Sequence, residues 1–175
     1  VLTGLVSSAL IVAAAMVVAM LPNLPLAADL NSWSGWKGSA THVQRALDAE
    51  RAAGREAFVF APNYKIASLL RFHLPGQPQT YAQDIYGVRA LQFDHFARDS
   101  DLAGATGILV LSDQAQSQLD LKRLAPYFDA IEHIDTVETR AFGKHTRRVE
   151  IYRCTGYRGH PNAPTADDPA GESPD

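Results

Sequence analysis

Hydrophobic positions fall into five patterns along this chain. Val1–Leu21 is continuous: Leu2, Leu5, Val6, Leu10, Ile11, Val12, Met16, Val17, Val18 and Met20, diluted by Ala, Gly, Ser and Thr, with Pro22 and Pro25 after it. The first charge is Asp29. At ~1.5 Å per residue, such a helix rises about 30 Å, the thickness of a bilayer's hydrocarbon core. The run therefore reads as a membrane span over residues 1–22. A signal peptide would need a basic leader and a shorter apolar core, although Leu26-Ala27-Ala28 resembles a cleavage site. A buried helix of a soluble domain would need a polar face, and Ser7 and Ser8 do not make one.

The second pattern is helical. Thr41-x-x-Gln44 has the form of a capping box, and Val43, Ala46, Leu47 and Glu50 follow at helical spacing through Arg51, with Gly54 as terminator. The third is the unbroken run Ala57–Ala61, a strand buried on both faces. Asn63 then caps a helix from Tyr64 to Leu74, with Ile66, Ala67, Leu69, Leu70, His73 and Leu74 on or near one face and Pro75-Gly76 closing it. Gln79–Tyr81 reads as a short strand, and Asp84–Asp94 as a loop. The fourth is the apolar strand Gly107–Leu111. Leu119–Phe128 predicts a short helix broken at Pro126. The fifth is the alternation of Ile131–Thr139 and Arg147–Tyr152, a hairpin around Gly143-Lys144.

Strands alternating with helices predict an α/β fold: a three-layer domain over 29–158 with a mainly parallel, mixed sheet ending in the hairpin. Phe58, Val59, Phe60, Ile108, Leu109 and Val110 should form its centre, with Ile66, Leu69 and Leu70 packed over them. Ligand sites in such sheets form beyond the carboxyl ends of the strands. Here those ends are Ala61–Tyr64, Ala82–Arg89 and Ser112–Gln114.

Composition changes the picture modestly. The net charge is −3, and four of the 19 acids lie in Gly159–Asp175, which has no Lys or Arg. That Pro- and Asp-rich tail is expected to be disordered. The remainder is nearly neutral, so no nucleic-acid surface is indicated. Cys154 is the single cysteine and forms no internal disulfide. Trp33 and Trp36 near the apolar run suit either a membrane interface or packing beneath the domain.

Common catalytic motifs are absent from the sequence. There is no G-x-G-x-x-G after a strand, no P-loop, no G-x-S-x-G, no H-E-x-x-H and no cysteine pair for zinc. Asp99-x-Asp101-x-x-Gly104 copies the start of a calcium loop, but Ala103 and Val110 stand at ligand positions. No cofactor and no metal is indicated. His73 reads as a hydrogen-bonded core histidine. Asp94-His95 makes an orienter and base only if the fold joins them. Arg140, Lys144, His145, Arg147 and Arg148 form a basic hairpin tip, ordinarily a solvated face, which near a bilayer would suit anionic lipid or a phosphate-bearing lipid carrier.

One stretch carries more. Ala61-Pro62-Asn63-Tyr64, then Ala67-Ser68-Leu69-Leu70-Arg71-Phe72-His73-Leu74-Pro75-Gly76-Gln77-Pro78, Tyr81, and Arg89-Ala90-Leu91-Gln92-Phe93-Asp94-His95-Phe96 resemble the C-terminal extracytoplasmic domain of bacterial polytopic glycosyltransferases. These are related to protein O-mannosyltransferases and lipid A aminoarabinose transferases. Val149–Arg153 with Gly156-Tyr157-Arg158-Gly159 is similar to the end of those chains. Phe72-His73 replaces the usual Phe-Tyr, Phe93 a Tyr and Phe96 a Trp, so ring packing is kept where hydrogen-bond donors are lost. The resemblance implies an inner-membrane enzyme with its domain on the periplasmic side. It implies transfer of a sugar from a polyprenyl-phosphate donor to a cell-envelope acceptor, with the catalytic acid in an upstream membrane portion. On that reading Tyr64, Arg89, Gln92 and Asp94 are the candidate polar cluster facing the membrane portion. The alternative is a single-span anchored binding or scaffold domain without catalysis.

Overall fold

The computed structural model describes residues 2–20, 35–90, 102–113, 119–141 and 144–159. Helix α1 (Leu2–Met20) comes first, then α2 (Trp36–Ala52), β1 (Ala57–Phe60), α3 (Tyr64–His73), β2 (Thr80–Tyr81), β3 (Thr106–Ser112), β4 (Ala130–Ala141) and β5 (Lys144–Thr155). Short 3-10 turns cover Gln83–Tyr86 and Leu121–Leu124.

The five strands form one mixed sheet in the order β2-β1-β3-β5-β4. β1 is parallel to both β2 and β3, whereas β5 is antiparallel to both β3 and β4. The sheet is thus α/β and mixed, but not mainly parallel. The two longest strands are the hairpin, and a hairpin is antiparallel by construction. Register shifts at His133/Asp135 and Thr139/Arg140 bend β4, the long edge strand.

Alternation along the strands sorts the core onto two faces. Val59, Ile108, Val110, Val149 and Ile151 point to the helices and meet Val43, Leu47, Ile66 and Leu70. Phe58, Phe60, Leu109 and Leu111 point the other way, into a cluster with Tyr81, Phe128 and Tyr157. The expected packing of Ile66 and Leu70 over the sheet therefore holds for one face only, with Leu69 partly buried beside them. Among the described residues, the second face is covered by 3-10 turns and stacked rings, where the three-layer expectation placed a helix. Phe60 stacks on Phe128 at 5.4 Å, and Phe128 meets Tyr157 at 5.2 Å. Gly107 makes room for them: a Cβ there would sit 2.7 Å from Phe60 Cε1.

Local signals explain most boundaries. Asn63 Oδ1 accepts from Ile66 N at 3.0 Å and starts α3 as expected. α2 starts earlier than the capping box suggested. Its N-cap is Gly35, left-handed at φ 86° with no side-chain cap, and Thr41 lies inside the helix, donating back to the Lys37 carbonyl at 3.3 Å. Trp36 is buried beneath the domain. Trp33 and the tail 160–175 lie outside the described residues.

α1 stands apart from this core. Every side chain described on it is exposed, Val6, Leu10, Ile11, Val12, Met16 and Val17 among them. Among the described residues no helix is long and apolar enough to cross a membrane. The membrane span expected over residues 1–22 is thus not supported by the described residues.

Candidate functional site

β1, β2 and β3 run toward one edge of the sheet, and the register Ser112↔Val149 brings the start of β5 to that same edge. There Asp113, the residue after β3, holds the hairpin. Its Oδ2 accepts from Arg148 N at 2.9 Å and lies 2.8 Å from His145 Nε2, while Asp113 N donates to the Arg148 carbonyl at 3.0 Å. Arg148, Glu150 and Tyr152 alternate with the buried Val149 and Ile151, so they share the opposite face of β5. Arg148 Nη2 lies 2.9 Å from Glu150 Oε1, and Tyr152 OH donates to Glu150 Oε2 at 2.8 Å. Burial, with Glu150 alongside, raises the Tyr152 pKa and keeps the phenol a donor.

These side chains, with Leu111, Leu119 and Leu121, line an open cleft of about 360 Å³. That is small for a ligand pocket, and its apolar wall with a few convergent polar groups is the usual composition. Each carboxylate is already engaged from within the domain: Asp113 by the His145 ring and the Arg148 backbone N–H, Glu150 by Arg148 and the Tyr152 hydroxyl. The arrangement offers hydrogen bonds and a ring edge to a polar ligand.

The basic hairpin tip is in large part the solvated face expected: Arg140, His145 and Arg148 are exposed, Arg147 is the exception, and the Lys144 side chain lies outside the described residues. Arg140 pairs with Glu138 at 3.3 Å, and His145 and Arg148 pair as above. Arg147 is 1% exposed, its guanidinium 4.5 Å from the Trp36 ring centroid. It shares the helix-facing side of β5 with Val149 and Ile151, so alternation drives it inward, where the indole face compensates part of its desolvation. Burial lowers its pKa to about 10, still well above neutrality.

A second histidine–carboxylate pair lies on the helix side, with His42 Nδ1 2.7 Å from Asp135 Oδ2. His42 chiefly, through this hydrogen bond, holds Asp135 below the ordinary aspartate range. His73 is half-buried, and burial first, then the charge of Lys37, lowers its pKa.

Of the four residues expected to form a polar cluster, two are described. Tyr64 opens α3 beyond the carboxyl end of β1 and is 48% exposed. Arg89 is exposed, and its carbonyl accepts from Gln83 Nε2 at 2.7 Å. Gln92 and Asp94 lie outside the described residues, as do His95, Asp99 and Asp101, so nothing described joins the four. The cleft residues Glu150 and Tyr152 were legible only as strand. Their meeting with Asp113 depends on a register that local pattern does not carry. The chain matches no protein-family model, no curated protein and no solved structure.

Proposed function

We propose that this chain is the C-terminal part of an integral-membrane glycosyltransferase, anchored by α1 with its α/β domain on the outer, periplasmic side of the inner membrane. The full protein would move a sugar from a polyprenyl-phosphate carrier to a cell-envelope acceptor. This domain would cap the membrane active site and would not supply the catalytic acid. The carrying observation is the run Ala61–Phe96. Its motif residues Pro62, Asn63 and Tyr64 stand where β1 turns into α3, beyond the carboxyl end of a strand, where α/β domains receive ligands, and Arg89 follows the 3-10 turn after β2. The anchor is supported by α1, 19 uncharged residues rising about 28 Å with every described side chain exposed. A contiguous apolar surface of that size on one helix calls for a membrane or a partner.

An anchored binding domain without catalysis is the second reading. It is favoured by the cleft, whose carboxylates are satisfied from within the domain. Transfer assays separate the two. In membranes carrying the full reading frame, Arg89→Ala and Asp94→Ala should each lower transfer from a polyprenyl-phosphate sugar at least about tenfold, the scale of lost positioning. Thermal unfolding of the domain should be unchanged. Full transfer in both variants, or a reading frame that starts just before Val1 with no further spans, would sink the transferase assignment.

A further inference from the structure

The α/β domain hides its large apolar side chains well. Among its described residues three are exposed: Phe72 at 70%, Tyr64 at 48% and Ile134 at 38%. Two of the three are on α3. At about 100° per residue, Tyr64, Lys65, Ser68, Arg71 and Phe72 fall within one arc of about 120°. They are the exposed residues of the helix, while Ile66, Ala67 and Leu70 are buried beneath. The stripe is therefore two rings, two cations and one hydroxyl. It has no acid, and none occurs in the sequence between Glu56 and Asp84.

Its position adds to this. Lys37, in the first turn of α2, is close enough to His73 to depress that imidazole's pKa, behind burial itself. Lys37 is itself exposed, at the end of α2 that the chain enters from α1. Residues 21–35 reach at most about 50 Å, so this face stays within range of whatever surface holds α1.

Aromatic rings interleaved with Lys and Arg are the composition of an interfacial helix face: rings settle at headgroup depth and cations meet lipid phosphates. Self-association through the stripe would bring like charges together. We infer that the outer face of α3 is a docking surface that lies on the anionic headgroups of the bilayer receiving α1, an inference that rests on the membrane anchoring proposed above. It presses the domain down onto the membrane, and Tyr64 with it.

The test uses the full chain in nanodiscs of phosphatidylcholine, with or without phosphatidylglycerol. Spin labels go at Ser68→Cys, inside the stripe, and at Ala52→Cys, at the far end of α2. Native Cys154 is buried, with its pKa pushed to about 12, and its silence toward the label reports an intact fold. Phosphatidylglycerol should shield the label at 68, but not at 52, from a water-soluble relaxation agent. Each cation near an anionic surface is worth about fivefold in association. Lys65→Ala should therefore lower the docked-to-free ratio about fivefold, and Phe72→Ala should lower it further.

A label at 68 that stays open in both lipids overturns the docking, as does equal shielding in both, which would mean a second copy or another protein surface. Alkaline-carbonate extraction reads the anchor separately. A chain retained in the bilayer with residue 68 open leaves the anchor standing and removes the docking. A chain that washes out, yet is shielded at 68 when phosphatidylglycerol vesicles are added, removes the anchor and keeps the docking.

Discussion

Glu50 shows how helical position can carry a carboxylate into the core. It was placed on the inner face of α2 by spacing, and it is buried, with a side chain only 4% exposed. A lone buried carboxylate would be costly. Here Arg55 Nε lies 2.5 Å from Oε2 and Arg153 Nη1 3.6 Å from Oε1. The hydrogen bond from Arg55 outweighs desolvation and holds the Glu50 pKa below its ordinary value. A carboxylate with a lowered folded-state pKa stabilises the fold above its unfolded pKa, and that contribution fades as pH falls through the folded value. Glu50→Gln should therefore cost about 1.5–3 kcal/mol at neutral pH, the scale of a charge-assisted hydrogen bond. The gap to wild type in urea unfolding should close as pH drops below the usual glutamate range. A gap independent of pH would show that Glu50 acts by shape alone. Gly107→Ala tests the opposite face. The added methyl would meet Phe60, which is already stacked on Phe128, so overpacking should outweigh the entropic gain of alanine and cost about 1–3 kcal/mol.

At the scale of elements, what the sequence made legible was what local chemistry decides. Asn63 before a helical stripe, the unbroken runs of β1 and β3, and the alternating hairpin each state their structure within a few residues. α2 did not announce its start, because a left-handed Gly35 without a side-chain cap leaves no cap signature, while Thr41 mimics one inside the helix. Among the described residues the second face is covered by 3-10 turns and stacked rings, because Leu119–Phe128, interrupted at Pro126, holds only the short 3-10 turn Leu121–Leu124. The cleft was illegible for a different reason. Asp113 meets Arg148 and His145 across more than 30 residues, and only strand register brings them together. β3 is the element on which both faces converge, with all seven residues buried. Leu109→Ala should cost about 2–5 kcal/mol through lost transfer energy plus the cavity left among the rings. A loss well under 1 kcal/mol in denaturant unfolding would show that β3 is not central.

At the scale of the whole molecule, an exposed, uncharged helix is joined to a domain that satisfies itself. The described side chains of α1 are all exposed, so its sequence is not held in place by the α/β core. Charge in α1 should therefore change where the molecule resides without changing how stably the domain folds. An Asp, Lys or Arg at the centre of a spanning helix costs about 2.5–3.5 kcal/mol of insertion. Val12→Asp should lower the carbonate-resistant fraction in cells sharply, whereas the urea midpoint of the α/β domain should not move. Sidedness is read with an impermeant thiol reagent on Ala52→Cys, an exposed position at the end of α2 and off the α3 stripe, the buried Cys154 remaining silent. An outward-facing domain is labelled in cells whose inner membrane is intact. Labelling only after lysis would place the domain on the inner side, and a Val12→Asp chain that stays fully membrane-bound would mean that α1 is not the anchor.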